Sequence, residues 1–146
     1  MAKFTKSDLR YFDMAHKMAD KSTYHAFHLG CVIVYQNHVI GSGFNSNKTA
    51  PVQKKYNKFR KFHYGSQLVE HKIHAETSAL KSIPYVVDKN TDWSKVKVYI
   101  YRVSPGHENN FGLARPCEGC LRMLRDKGVR HVYYTGNSSF IYEELV

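Results

Sequence analysis

The chain has 146 residues, of which 42% are hydrophobic, and this length and composition fit one domain with a single continuous core. Its longest uninterrupted apolar run, residues 31–35, is far too short to cross a bilayer, and its first residues have no apolar stretch of the signal-peptide type. Three cysteines are not the even-numbered framework of a disulfide-stabilised secreted domain. We therefore expect a single domain over residues 1–146, a cytoplasmic location and no membrane partner. The net charge of +10 favours an anionic partner such as a nucleotide or a polynucleotide, but charge alone does not distinguish them.

The first part of the sequence predicts a helix followed by a β-hairpin. Thr5 with Asp8 three residues later is typical of a helix start, and apolar residues then recur at helical spacing to about residue 21. Two short apolar runs, residues 30–35 and 38–44, flank a turn-forming Gln-Asn pair, which predicts two antiparallel strands. Residues 45–66 form a long polar, basic and aromatic connection that we expect to be partly helical.

The remainder of the sequence predicts alternating helices and strands. We expect helices over residues 71–83 and 116–128, and strands over residues 95–103, 129–135 and 140–145. Only residues 136–139 separate the last two strands, whereas a parallel return needs a crossover of about a dozen residues or more. The last strand should therefore run antiparallel to its predecessor. The order of elements predicts an α/β fold with a mixed sheet that is covered by helices on both faces.

Two short motifs supply metal-ligand residue types, each at a predicted helix start. One is HAE at residues 74–76, and the other is PCEGC at residues 116–120. Two cysteines three positions apart at a helix N-terminus can both point at one ion, and the helix dipole favours the thiolates that zinc needs. We therefore expect His74, Cys117 and Cys120 to bind one zinc ion per chain.

The number of ligands indicates a catalytic zinc site rather than a structural one. Three protein ligands leave one tetrahedral position for water, whereas a structural site is closed by four. Zinc lowers the pKa of such a water to roughly 7. Glu76 is two residues from a ligand and so points away from direct coordination, where it can accept a proton and pass it to a ring nitrogen and a leaving amine.

The HAE and PCEGC motifs resemble the signature of the cytidine deaminase superfamily, H-x-E with P-C-x-x-C. The predicted element order from Gly30 to the last strand is also similar to that fold, so the resemblance covers most of the chain. It implies a three-layer α/β/α fold, a five-stranded mixed sheet with an antiparallel last strand, and hydrolytic loss of ammonia from cytosine or, in some branches, another base. It further implies that His74, Cys117 and Cys120 hold zinc, that Glu76 moves the protons, and that the protein assembles as a homo-oligomer.

The resemblance also implies substrate contacts at Asn45, Ala75 and Pro116. Asn45 follows the second predicted strand and resembles the asparagine that many members place against the substrate sugar. The antiparallel end of the predicted sheet resembles the free-cytidine branch and several toxin deaminases more than the tRNA adenosine branch.

A basic and aromatic segment, residues 54–64, has two interpretations. It interleaves cations with rings, as do surfaces that stack bases and follow a phosphate backbone. Its spacing also fits an amphipathic helix whose rings pack inward while its lysines are solvated. The candidate phosphate or nucleic-acid contacts in this segment are Lys54, Lys55, Lys58, Arg60 and Lys61.

Three functions remain open at this point. The first is zinc-dependent conversion of cytosine to uracil in a free (deoxy)cytidine nucleoside or nucleotide. The second is the same chemistry on cytosine or adenine in single-stranded DNA or RNA, where the base must be unstacked and inserted into a pocket. The third is a non-catalytic nucleic-acid-binding module with structural zinc, which would need a fourth ligand such as Cys31 or His71. Cys31 lies in an apolar strand, where a lone cysteine is typically a small buried hydrophobe.

Overall fold

The structure is a computed structural model that describes residues 4–24, 27–48, 51–57, 73–104 and 112–145, without the side chains of residues 53, 54 and 57. Within these ranges, every helix is too short or too polar to cross a membrane.

The first helix, α1, spans Lys6–Ala19 and begins at the predicted capping box. The Asp8 backbone N–H donates to the Thr5 hydroxyl at 3.0 Å, and the Thr5 backbone N–H donates to the Asp8 carboxylate at 2.9 Å. These two bonds satisfy backbone donors that have no partner within the helix. The helix ends two residues before the predicted residue 21.

A five-stranded mixed sheet forms the centre of the fold, with the strand order β2-β1-β3-β4-β5. Only β3 and β4 are parallel, and β5 pairs with β4 in the antiparallel direction, as the short connection predicts. The β1–β2 hairpin turns at Gln36 and Asn37, whose φ values of 50° and 64° are those of a turn that matches the twist of the flanking strands. The strands are β1 His28–Tyr35, β2 His38–Phe44, β3 Lys97–Val103, β4 His131–Thr135 and β5 Phe140–Glu144.

Four more helices lie between the strands in the described part of the chain, and two of them carry the predicted metal ligands at their starts. They are α2 Pro51–Asn57, α3 Ala75–Lys81, α4 Tyr85–Lys89 and α5 Glu118–Lys127, and a 3₁₀ turn spans Trp93–Lys95. Pro84 ends α3 as predicted, but it also caps α4, a helix that the hydrophobic pattern does not predict. Helix α3 begins at Ala75 and not at the predicted residue 71, because His74 has an extended backbone and caps the helix; residues 71–72 lie outside the described residues.

The two faces of the sheet have separate hydrophobic cores, which confirms the predicted three-layer α/β/α arrangement. On one face, Tyr11 and Phe12 of α1 pack against Val32, Val34 and Tyr99. On the other face, α3 and α5 cover the alternate strand residues. That second core includes Cys31, Ile33, Ala79, Val98, Ile100, Leu121 and Leu124.

Helix α3 lies unusually close to β2, and this contact fixes where its first residues sit. The helix and the strand approach each other this closely because β2 carries glycines at positions 41 and 43. A Cβ atom at Gly43 would overlap the backbone nitrogen of Ala79. The absence of a side chain there lets the helix rest directly on the strand, with its first turn at the end of the sheet.

Candidate active site

The three predicted metal ligands converge at the starts of α3 and α5. His74 caps α3, Cys117 caps α5, and Cys120 lies in the first turn of α5. Their ligand atoms all lie within 4.8 Å of one another. His74 Nδ1 is 3.2 Å from Cys120 Sγ and 3.6 Å from Cys117 Sγ. Cys120 is buried, whereas His74 and Cys117 are half-buried, so the cluster is open to solvent on one side.

Backbone hydrogen bonds hold the segments before both ligand-bearing helices against the end of the sheet. Ser46 N–H donates to the carbonyl of Ile73 at 3.2 Å, and Ile73 N–H donates to the carbonyl of Lys48 at 2.8 Å. On the other side, Ala114 N–H donates to the carbonyl of Thr135 at 2.8 Å. The segment before His74 is therefore held by the chain that follows β2, and the segment before Cys117 is held by the end of β4.

The donor set of this cluster fits zinc. One imidazole and two sulfurs are zinc ligands, and among the described residues no fourth histidine, cysteine or carboxylate joins the group. The hydrogen bond from Cys120 lowers the pKa of the Cys117 thiol well below its usual value, and the same bond raises the pKa of Cys120. A thiolate attracts a cation, and a thiol that coordinates a divalent ion is deprotonated.

Cys31 does not belong to this cluster. It is fully buried on β1 among the apolar residues between the sheet and α3, as expected of a small hydrophobe. His71, the other candidate for a fourth ligand, lies outside the described residues.

Glu76 is a buried carboxylate beside the cluster, with one oxygen unpaired. Its side chain is 3% exposed, and Oε1 has no hydrogen-bond partner within the described part of the chain. Burial raises the pKa of Glu76, and a hydrogen bond with Cys120 partly offsets that effect. An unpaired buried carboxylate oxygen is costly, so it indicates a position where a water or a substrate atom is bound.

The predicted substrate contacts have other visible roles. Asn45 is 4% exposed, and its side-chain oxygen accepts hydrogen bonds from the Leu29 backbone at 2.8 Å and the Ser22 hydroxyl at 2.6 Å. Its amide donates to the carbonyl of Phe27 at 3.1 Å. Asn45 thus joins the end of β2 to the start of β1, and its contact with a sugar stays a prediction.

Ala75 and Pro116 flank the ligands, but both side chains are buried. The side chain of Ala75 is part of the core between α3 and the sheet. Any contact that Ala75 makes with a substrate would therefore come from its backbone.

The basic segment is described only at its start. Lys55 is exposed, with its ammonium 5.1 Å from the centre of the Tyr56 ring. Tyr56 is buried against α5, where its hydroxyl donates to Asp126 at 2.9 Å, as the inward-packing interpretation expects for this ring. The side chain of Lys54 and all of Lys58, Arg60 and Lys61 lie outside the described residues.

Sequence analysis missed an ion pair next to the second motif. Arg115 directly precedes Pro116, and its guanidinium donates two hydrogen bonds to the Glu143 carboxylate, at 2.9 and 3.0 Å. The Tyr134 hydroxyl donates to the same carboxylate at 2.9 Å. These bonds attach the segment before Cys117 to the edge strand β5. No sequence pattern indicates that Arg115 and Glu143 form an ion pair, because the two residues are 28 positions apart.

An open metal site with an adjacent carboxylate is the arrangement of zinc-dependent hydrolases. Here the metal site lies at the starts of two helices of a three-layer α/β/α fold. Among zinc-dependent hydrolases, this position favours the deaminases that act on nucleobases. Residues 5–136 match the family described as "Cytidine and deoxycytidylate deaminase zinc-binding region". The chain belongs to this family and is a zinc-dependent hydrolytic deaminase.

Comparisons with solved structures support the fold. A cytidine deaminase from Burkholderia pseudomallei is 17% identical with a TM-score of 0.57, over 97% of this chain and 93% of that one. A dCMP deaminase from the cyanophage S-TIM5, in complex with dCMP and dUMP, is 17% identical with a TM-score of 0.53, over 91% of this chain and 83% of that one. No curated protein matches the sequence significantly.

Proposed function

We propose that this enzyme converts cytosine to uracil in a free cytidine or deoxycytidine nucleoside or nucleotide. The unpaired oxygen of buried Glu76, beside three clustered metal ligands, is the observation that carries the proposal. The family match to cytidine and deoxycytidylate deaminases supports cytosine as the base. The reaction consumes one water, which attacks C4 of the ring, and releases ammonia.

Glu76 moves both protons of that water. It takes the first proton as the water oxygen bonds to C4 and delivers it to the ring nitrogen N3. It then transfers the second proton to the exocyclic amine, which leaves as ammonia. Zinc held by His74, Cys117 and Cys120 would supply the Lewis acidity that makes a water nucleophilic near neutral pH.

Burial suits Glu76 to both steps. Desolvation raises the pKa of its carboxyl group, which brings that pKa closer to the operating pH. A carboxylate of this kind accepts a proton readily and returns it readily within one catalytic cycle.

A panel assay tests the proposed function. The zinc-loaded protein is incubated with cytidine, deoxycytidine and their 5′-monophosphates, and ammonia is measured. Glu76→Gln should lower kcat by about 10²–10⁴-fold, the usual contribution of a general acid/base. Glu118→Gln, at an exposed carboxylate in the first turn of α5, is the matched control and should leave kcat within about twofold. Absence of ammonia from every compound, or full activity of Glu76→Gln, would refute the proposal.

A second candidate substrate is a base in single-stranded DNA or RNA, cytosine or adenine. The net charge of +10 and the exposed Lys55 favour it. Affinity for a single-stranded oligonucleotide should then fall steeply with added salt, because binding releases condensed counterions. An affinity that does not change with salt would exclude this substrate.

We further propose that residues 1–146 form a single deaminase domain, which assembles as a homo-oligomer in the cytoplasm. The half-buried rings of Tyr133 and Tyr142 on the last two strands support an interface there. Native mass spectrometry gives the number of subunits directly, and a monomer at micromolar concentration would contradict the assembly.

A further inference from the structure

Arg102 lies at the carboxyl end of β3, on the sheet face that carries the metal ligands. Successive strand residues alternate between faces, and Val98 and Ile100 both belong to the core that includes α3 and α5. Tyr99, in contrast, packs against α1 on the opposite face. Arg102 follows Ile100 by two positions and so points to the side of the metal cluster.

Contacts on both sides place Arg102 between the two segments that carry the metal ligands. On one side, Arg102 pairs with Leu29 of β1, whose backbone is bonded to Asn45 at the end of β2. One and three residues after Asn45, the backbone groups of Ser46 and Lys48 are bonded to Ile73, which precedes His74. On the other side, the Arg102 guanidinium contacts the segment that leads to Cys117.

The Arg102 side chain is held in place by three neighbours. Its guanidinium carbon lies 4.6 Å from the centre of the Phe27 ring. Its Nη1 donates to the carbonyl of Leu113 at 3.3 Å. Its stem passes so close to Gly112 that a Cβ atom there would lie 2.9 Å from Arg102 Cδ. The guanidinium is therefore pre-organised rather than free to move in solvent.

Among the described residues, few hydrogen-bond partners face the Arg102 guanidinium. A guanidinium has five N–H donors, and the long bond to Leu113 occupies one of them. Its Nε is buried without a hydrogen-bond partner, and no carboxylate of the described residues forms an ion pair with it. A half-buried cation that lacks a counter-ion is costly, and an anion at this position would remove the cost.

We propose that Arg102 binds the 5′-phosphate of a free nucleotide whose base lies at the metal cluster. A guanidinium fork matches a phosphate monoester in charge and geometry. This inference rests on the proposed deamination of cytosine and narrows the substrate to a 5′-monophosphate in preference to the nucleoside. Arg102 is thus a specificity-determining residue, and Phe27 and Gly112 are its positioning residues.

The first test compares catalytic efficiency on nucleosides and on their 5′-monophosphates. Arg102→Gln should raise KM for the monophosphates by about 10–100-fold, as expected for loss of a charged hydrogen bond, and leave KM for the nucleosides unchanged. Gly112→Ala keeps the charge but displaces the Arg102 side chain, so it should reproduce the selective loss. Arg130→Gln is the matched control, because Arg130 is exposed and lies just before the start of β4, at the end of that strand opposite to Thr135. This substitution should change KM neither for the monophosphates nor for the nucleosides.

The second test measures binding without turnover. In calorimetry on the zinc-loaded protein, dUMP should bind at least tenfold more tightly than deoxyuridine, and Arg102→Gln should abolish the difference. If the enzyme releases ammonia but binds and processes nucleoside and monophosphate equally, the inference about Arg102 fails while the proposed function stands. If no ammonia is released but the binding preference depends on Arg102, the proposed function fails and the phosphate site stands.

A polynucleotide gives a third distinguishable result. If a single-stranded oligonucleotide binds far more tightly than any monophosphate, and only its binding depends on Arg102, the residue contacts a phosphodiester. That result would overturn the assignment to a free nucleotide.

Discussion

Glu143→Gln should destabilise the protein by about 1–2 kcal/mol at neutral pH, because it removes the charge that holds Arg115. The pair is bidentate, at 2.9 and 3.0 Å, and Tyr134 adds a third hydrogen bond to the same carboxylate. Breaking a fully buried pair costs about 3–5 kcal/mol, whereas an exposed pair contributes about 0.2–1 kcal/mol. The side chains of Arg115 and Glu143 are 40% and 28% exposed, so solvent screening places the value toward the lower limit.

The pH dependence of this effect has a definite sign. The hydrogen bond from Arg115 lowers the pKa of Glu143 below its usual value. A carboxylate with a depressed pKa contributes stability that is fully present above the unfolded-state pKa of about 4.3 and is lost as pH falls through the lower folded-state value. The difference between the wild type and Glu143→Gln should therefore be constant above about pH 5.5 and shrink below about pH 4.

Urea and thermal unfolding measure the difference in the free energy of unfolding between the wild type and Glu143→Gln. This difference corresponds to a decrease in Tm of about 3–6 °C. Glu144→Gln changes an exposed neighbour on the same strand and should shift Tm by less than about 1 °C. In a double-mutant cycle that combines Glu143→Gln with Arg115→Gln, the coupling energy between the two residues should be about 1 kcal/mol at pH 7. A coupling near zero, or a difference that grows as the solution is acidified, would refute the reasoning.

Three further perturbations test how the sheet positions the site. Gly43→Ala should destabilise the protein by more than about 2 kcal/mol in urea unfolding and weaken zinc retention, since its Cβ overlaps the backbone of Ala79; unchanged stability would contradict the close approach of α3. Asn45→Ala should cost about 2–4 kcal/mol by the same measurement, because it leaves the Leu29 N–H and the Ser22 hydroxyl unpaired; a cost confined to KM would instead favour direct substrate contact. Removal of zinc with a chelator should abolish ammonia release and lower Tm, and added zinc should restore both; activity that survives chelation would contradict the mechanism.

Local rules predicted much of the architecture. The capping box at Thr5 and the hairpin turn at Asn37 are encoded within a few residues, and both are confirmed. The antiparallel direction of β5 follows from the length of one connection, and the structure confirms it. The clustering of His74, Cys117 and Cys120 was also predictable, because residue type and spacing alone identify the two motifs.

The remaining features depend on contacts between distant residues. Helix α4 is only five residues long, too short for a periodic hydrophobic pattern, and it contains no buried residue. Arg115 is paired with Glu143 of β5, whereas Arg102 contacts Phe27 just before β1, so neither sequence spacing nor composition indicates which arginine is paired with a carboxylate. The fold itself decides that Arg115 is neutralised by Glu143 while Arg102 is not.

The coordination of the metal tests the central claim most directly. X-ray absorption spectroscopy at the zinc edge of the purified protein should show two sulfurs at about 2.3 Å, one nitrogen at about 2.0–2.1 Å and one oxygen from water. Replacement of Cys31 by serine should leave that spectrum unchanged, since Cys31 lies in the core outside the ligand cluster. A third sulfur or a second imidazole in the coordination sphere would mean that the site is closed, and the proposed hydrolysis would have no position for its water.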